Sequence, residues 1–423
     1  MTPEALRIPA PEPGVARVTL SRWLVREGDV VRAGDVIAEI VGDTIVREIE
    51  ALQSGRIGRI LVAAGTRDVA VDTAIAIIDP TGAGNDAAPP AAEQRTGETP
   101  RGATYRHAIG TALRGAMEAD PALLYLARPP EQGGARLAGE LRDAFGHARV
   151  IDPGSGAEPA LGLAVGAALG GQRVVIDIGR FADIYGALEQ VLHVAAKTGP
   201  LSGDRATCPL VIRGVHGPAG RLGGVHGQDV AALMAAAPGL TVVAPSEPAD
   251  ARALMEAAIA SDTPVIFLES ETLFARGCDG GTRPDRPRRI GEARIVRTGR
   301  DVTLVGFGAA MPTTLSAAER LDAEGFAAEV IDLGTLRPLD LATVTDSVRR
   351  TGRCVTVEHG PSQGGIGAYI AARVTQAAFA DLAAPVETCA GADTPCPYAE
   401  ALEAASVPTT ADIVAAVRRT RGT

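Results

Sequence analysis

Between residues 104 and about 285 the chain alternates short apolar runs with longer helical stretches, and this alternation restricts its fold more than any other feature. Residues 123–127, 148–151, 174–178, 210–212, 240–243 and 265–268 are apolar and of strand length. Helical stretches such as 182–196 and 248–260 lie between several of them. Such alternation predicts a doubly wound parallel sheet. A second α/β unit starts near residue 290, with strands expected at 302–305, 328–331 and 355–357 and helices near 312–324, 342–349 and 366–378.

Within the first of these units one stretch stands out, Pro209 to Gln228, PLVIRGVHGPAGRLGGVHGQ. It opens as a strand, spends five glycines between Gly214 and Val225, and reaches His226-Gly227-Gln228 before an apolar helical run. Parallel α/β sheets place ligands where a strand end meets such a loop and a helix start. Glycine permits close backbone approach, and an imidazole exchanges protons near neutral pH. Taken alone, the stretch fits a surface loop with two solvated histidines equally well.

The 423 residues leave room for two to four domains. A hydrophobic share of 46% with 22% charged residues is the balance of a soluble globular protein. The net charge of −10 argues against nucleic acid or an anionic membrane as the main partner. No apolar run reaches the ~20 residues that span a bilayer, and no signal-peptide pattern opens the chain. Cys208, Cys278, Cys354, Cys389 and Cys396 lack metal-type spacing, and their odd number fits reduced thiols, so a cytoplasmic location and no metal ligands are expected.

Residues 1–79 read as a small all-β sandwich or flattened barrel, with short alternating runs broken by Gly-Asp and Gly-Thr turns. Trp23-Leu24-Val25-Arg26-Glu27-Gly28-Asp29, Gly34-Asp35-Val36-Ile37-Ala38-Glu39-Ile40 and Gly55-Arg56-Ile57 resemble the lipoyl/biotinyl domain family. That family attaches its prosthetic group to a lysine at a hairpin tip. Here the tip reads Val41-Gly42-Asp43-Thr44-Ile45-Val46, and Thr44 stands where the lysine belongs. A hydroxyl cannot form that amide, and Lys197 is the only lysine in the chain, so no covalent lipoyl or biotin is expected. Residues 80–103, rich in Ala, Pro and Gly, read as a linker.

Residues 104–285 and 286–423 resemble the pyrimidine-binding and C-terminal domains of the transketolase superfamily. Within it, they resemble the β subunit of the decarboxylating component of 2-oxo acid dehydrogenase complexes. The matching stretches include Ala103-Thr104-Tyr105-Arg106, Gly162 to Ala168, Ala195-Ala196-Lys197, Pro209 to Gln228 without a gap, and Pro264 to Glu269. Leu336 to Asp340, Thr356-Val357-Glu358, and Gly391-Ala392-Asp393 with Pro397-Tyr398-Ala399 continue the match in order. The resemblance implies thiamine diphosphate as cofactor, shared with a separate α-type subunit in an α₂β₂ assembly that passes its acyl group to an acyltransferase or carrier-protein component. The α subunit supplies the diphosphate and Mg²⁺ site through a Gly-Asp-Gly motif, which this chain lacks. It also implies that His226 is the active-site histidine and gives general acid–base help. Phe181 and Tyr185 fall where the family packs aromatics near the cofactor ring, although core packing at helical spacing accounts for them equally. Gly364-Gly365-Ile366-Gly367 is more simply a turn into a helix than a dinucleotide loop.

Two departures qualify the match. The family's cofactor-facing glutamate falls on Ala157, with Glu158 as its neighbour, and its first-strand acid is replaced by Ala127-Arg128-Pro129-Pro130. Glu158 is therefore the candidate carboxylate, against a solvated side chain at a helix start. The expected function is a thiamine-dependent 2-oxo acid dehydrogenase β subunit. The alternatives are a non-catalytic structural or regulatory relative, and a thiamine enzyme recruited to two-carbon transfer onto a carrier protein.

Overall fold

Residues on the central strands bury alternately on opposite faces, and this pattern fixes the layers. In the computed structural model, residues 4–8, 17–31, 36–41, 46–51, 55–79, 104–127, 135–154, 156–274 and 287–421 are described. The chain divides into two units, Met1–Arg95 and Thr96–Thr423.

The first unit is a sandwich of two four-stranded antiparallel sheets. Leu6, Ile8, Val18, Leu20, Ile37, Ile40, Ile57 and Ile75 fill the space between them. Strands Val36–Val41 and Val46–Glu50 pair antiparallel with Val41 opposite Val46. The substituted position between them, Thr44, lies outside the described residues, as do Arg128, Pro129, Pro130 and residues 80–103.

In the second unit a seven-stranded sheet runs Val150–Ile151, Leu124–Ala127, Val174–Arg180, Leu210–Val215, Val265–Glu269, Thr241–Val243, Thr335–Arg337. All neighbours are parallel except the last pair. Val211, Val265 and Phe267 face a layer built on helices Tyr105–Ala119 and Pro248–Ala260. Ile176, Ile212, Ile266 and Leu268 face the opposite core, which continues into the C-terminal half through Phe307, Ile331 and Val344. A second sheet of Arg294–Arg297, Ala328–Asp332, Val302–Gly306, Cys354–Pro361 and Glu387–Gly391 completes the unit. No described helix is long and apolar enough to cross a membrane.

Beyond the unexpected strands Arg294–Arg297 and Glu387–Gly391, two differences from the expected elements bear on the site. The short strand Thr335–Arg337 comes from the C-terminal half yet closes the first sheet, pairing antiparallel with Thr241–Val243. The helix expected over 182–196 is instead a 3₁₀ segment, Phe181–Ala187, followed by a π segment, Glu189–Ala195, and then α-helix Ala196–Ser202. With three residues per turn, Phe181, Ile184 and Ala187 share the buried face, and Tyr185 is turned outward.

Leu210–Val215 sits at the middle of the seven-stranded sheet, and a buried cation holds it there. Arg213 donates from Nε and Nη2 to both oxygens of Glu269 at 2.7 and 2.9 Å, and from Nη1 to Asp177 and to the Tyr125 hydroxyl. Four neighbouring strands are thereby tied at the level where their chains leave the sheet. Burial still pushes the Glu269 carboxyl above its ordinary range, against the pull of Arg213. Arg213→Leu leaves two buried carboxylates without their cation, so urea unfolding is expected to show a loss of about 3–5 kcal/mol. A loss below about 1 kcal/mol would contradict this role.

Candidate active site

The loop that follows Leu210–Val215 is closed on itself by the main chain. The His216 N–H donates to the Glu269 carbonyl at 3.0 Å, and the Gly217 N–H donates to the Gln228 carbonyl at 2.9 Å. Gly217, Gly220 and Gly223 take φ of 81°, 74° and 71°. That region strains any residue with a Cβ. The loop ends in one short helical turn, Gly223–His226, which packs against the 3₁₀ segment carrying Tyr185. His226 is exposed at the end of that turn.

The four expected site residues occupy different environments. Tyr185 is 42% exposed, and partial burial with Asp229 nearby raises its hydroxyl pKa. Phe181 is fully buried in the core and presents no surface. Glu158 is exposed in the first turn of helix Ala157–Leu169, whereas Ala157, at the position of the family's glutamate, is 9% exposed. Gly156 precedes them with φ of 98°. The structure thus brings His226 and Tyr185 onto adjoining elements and keeps Phe181 beneath the surface.

Sequence reasoning missed a second group of titratable side chains behind the loop. His216 and Asp229, on the loop, and His359, near the end of strand Cys354–Pro361, line a small cleft with Ser270 and Phe307. His216 Nδ1 lies 3.5 Å from Asp229 Oδ1. Burial alone would raise the Asp229 carboxyl, but His216 and the Ala231 N–H bring it below the ordinary range. Burial pushes His359 down to about 4. Glu358 next to it accepts from the N–H groups of Ile366 and Gly367 at 3.1 and 2.8 Å, at the start of helix Ile366–Ala378. Burial nevertheless pushes it up to about 7. A Cβ at Gly365 would lie 2.4 Å from that carboxylate, which accounts for the glycine there. Only the adjacent Glu358-His359 pair and His216, the first histidine of the glycine-rich loop, signal this group in sequence.

The exposed imidazole of His226 and the exposed ring of Tyr185 are of a chemistry that suits a heteroaromatic ring, and Asp229 is the carboxylate set near Tyr185. The described residues hold no group of three or more His, Cys, Asp or Glu side chains able to take a metal ion.

Two α/β layers joined through one core, with a glycine loop presenting a histidine at the carboxyl end of the central strand, define a chain of the transketolase type. Residues 101–276 match the transketolase pyrimidine binding domain, 291–413 the transketolase C-terminal domain, and 4–78 a domain described as biotin-requiring enzyme. A pyruvate dehydrogenase E1 component subunit beta of Rhizobium meliloti is 39% identical over 98% of this chain and 99% of its own length. That of Rickettsia bellii is 39% identical over 75% of this chain and 98% of its own. A solved split gene transketolase, an inactive beta4 tetramer, superposes with a TM-score of 0.62 at 26% identity, covering 75% of this chain and 98% of that one. The chain belongs to the family of pyruvate dehydrogenase E1 component β subunits.

Glu358 and His359 make opposite contributions to stability. The folded state holds the Glu358 proton up to about pH 7 against an ordinary 4.5, so its contribution is full below 4.5 and lost as pH rises through 7. The folded state keeps His359 neutral down to about 4 against 6.5, so its contribution is full above 6.5 and lost as pH falls through 4. Each amounts to about 3 kcal/mol at most. Urea unfolding of Glu358→Gln should therefore show stability rising more steeply with pH than the wild type between 4.5 and 7. His359→Gln should show it rising less steeply between 4 and 6.5. Parallel profiles for all three chains would contradict these environments.

Proposed function

We propose that this chain is the β-type half of a thiamine-diphosphate-dependent 2-oxo acid dehydrogenase, completed by an α-type subunit in an α₂β₂ assembly. The observation that carries the reading is the exposed His226 at the mouth of the glycine loop, in a chain similar to pyruvate dehydrogenase E1 β subunits over nearly its whole length. When bound, the cofactor supplies carbanion stabilisation at the reacting carbon. His226 holds or releases a proton at an imidazole nitrogen beside the substrate. The Tyr185 ring offers an apolar face to the cofactor's pyrimidine, and the buried Phe181 anchors the segment beneath it. Glu158 is the carboxylate that meets that ring by hydrogen bonding. The α partner holds the diphosphate and Mg²⁺, and an acyltransferase or carrier-protein component accepts the acyl group. Residues 1–79 act as a docking or assembly domain joined through linker 80–103, ahead of a pyrimidine domain at 104–285 and a C-terminal domain at 286–423. The same reading puts the assembly in the cytoplasm.

A second reading rests on Ala157. A methyl group where the family carries a glutamate suits a non-catalytic subunit that stabilises its partner. The two readings separate in the complex with the α partner, assayed by dye-linked decarboxylation of 2-oxo acids. In the catalytic reading Glu158→Gln lowers the rate about 10²–10⁴-fold and leaves assembly intact. Full activity in that variant eliminates Glu158 from the role. A wild-type complex without activity that Ala157→Glu revives establishes the second reading.

A further inference from the structure

The short turn that carries His226 is glycine on one side, and a segment from the C-terminal half fills that side. Gly223 and Gly227 are spaced to lie on one face of the turn, and Gly224 adjoins them. A Cβ at Gly223 would lie 2.2–2.5 Å from Tyr398 ring atoms. At Gly224 it would lie 3.0 Å from the Pro395 Cβ, and at Gly227 2.8 Å from the Cys396 Sγ. Real Cβ atoms do not approach as closely as those at Gly223 and Gly227 would, and the contact at Gly224 is tight, so side chains at these positions would push the two segments apart. The residues turned away from this contact, Val225 and His226, are the exposed ones.

A second contact holds the loop just before that turn. The main-chain N–H of Arg221 donates to both oxygens of Glu403, at 3.0 and 3.2 Å. Arg221 is a non-glycine residue at φ 58°. Such a conformation needs external support. Its guanidinium reaches Glu400 at 3.5 Å.

We propose that the segment Pro395–Glu403 is a positioning clamp for the catalytic loop: Tyr398, Pro395 and Cys396 seat the glycine face of the turn, and Glu403 fastens Arg221, so that His226 is held outward. This rests on the reading of His226 as the acid–base residue. Tyr398 and Glu403 are positioning residues. They act through the loop, and their removal disorders residues 221–227 without altering the sheet beneath.

Hydrogen exchange on the full chain tests the clamp without any assay of activity. Tyr398→Ala and Glu403→Ala are each expected to speed amide exchange in 221–227 at least about tenfold, with the peptide covering 210–215 unchanged. Tyr398→Phe keeps the ring and Glu403→Gln keeps an acceptor, so both should exchange as the wild type does. Gly227→Ala should speed exchange in the same peptide, and adding Cys396→Gly should slow it again, because the overlapping side chain is removed. In the active complex, Tyr398→Ala is expected to lower kcat about 10-fold or more with KM within about twofold, as misplacement of a catalytic group does. Unchanged exchange at 221–227 in both alanine variants, or loss of exchange protection throughout the chain with no rescue in the paired variant, overturns the clamp. A wild-type complex without activity overturns the functional reading and leaves the exchange result to decide the clamp by itself.

Discussion

A single guanidinium, that of Arg213, fixes the geometry on which the site depends. It lies between Asp177 and Glu269 and touches the Tyr125 hydroxyl, all of them buried. Taking such charges out of water costs several kcal/mol each, a cost offset only by close mutual contact, so the strands that carry them have little freedom to slide. Each strand leads directly into a working segment. Val174–Arg180 continues into the 3₁₀ segment of Phe181 and Tyr185, Leu210–Val215 into the loop of His216 and His226, and Val265–Glu269 into Ser270 and Glu271. Glu271 in turn pairs with Arg180 and lies against Gly220, so the roots of two segments are tied to the third.

From those rigid roots the loop is built for close approach. Its glycines admit main-chain closure at Gly217 and side chains of the C-terminal half at Gly223, Gly224 and Gly227. Filling one face of the turn leaves the other to the outside, where His226 and Val225 stand exposed, with Tyr185 exposed on the adjoining segment. Behind the loop, by contrast, Asp229, His216, His359 and Glu358 are enclosed, and burial and their mutual contacts set the protonation of Asp229, Glu358 and His359. The open side has a ring and an imidazole, and the described residues hold no metal-binding cluster beside them.

The layered fold was readable because strands buried on both faces must be continuously apolar, as 174–178 and 265–268 are in large part. Helices 248–260 and 366–378 were readable to the residue, each marked by a change of composition at its ends. Thr335–Arg337 escaped because three residues give no period, and its partner strand lies nearly a hundred positions earlier. The 3₁₀ and π segments escaped because apolar spacing does not distinguish three residues per turn from 3.6 over so short a run. That distinction decides whether Phe181 and Tyr185 share a face, and they do not. The enclosed histidines and acids, and the contact of residues 395–403 with the glycine turn, join segments far apart in the chain, and no local pattern announces them.

A chain that contributes only one half of a thiamine site cannot hold the cofactor by itself, and the proposed function turns on that division. Isothermal titration of thiamine diphosphate with Mg²⁺ into the purified chain, and into its complex with the α-type partner, measures it. The expected result is no saturable binding to the chain alone and one cofactor per αβ pair in the complex. Tight, stoichiometric binding to the chain alone would contradict it.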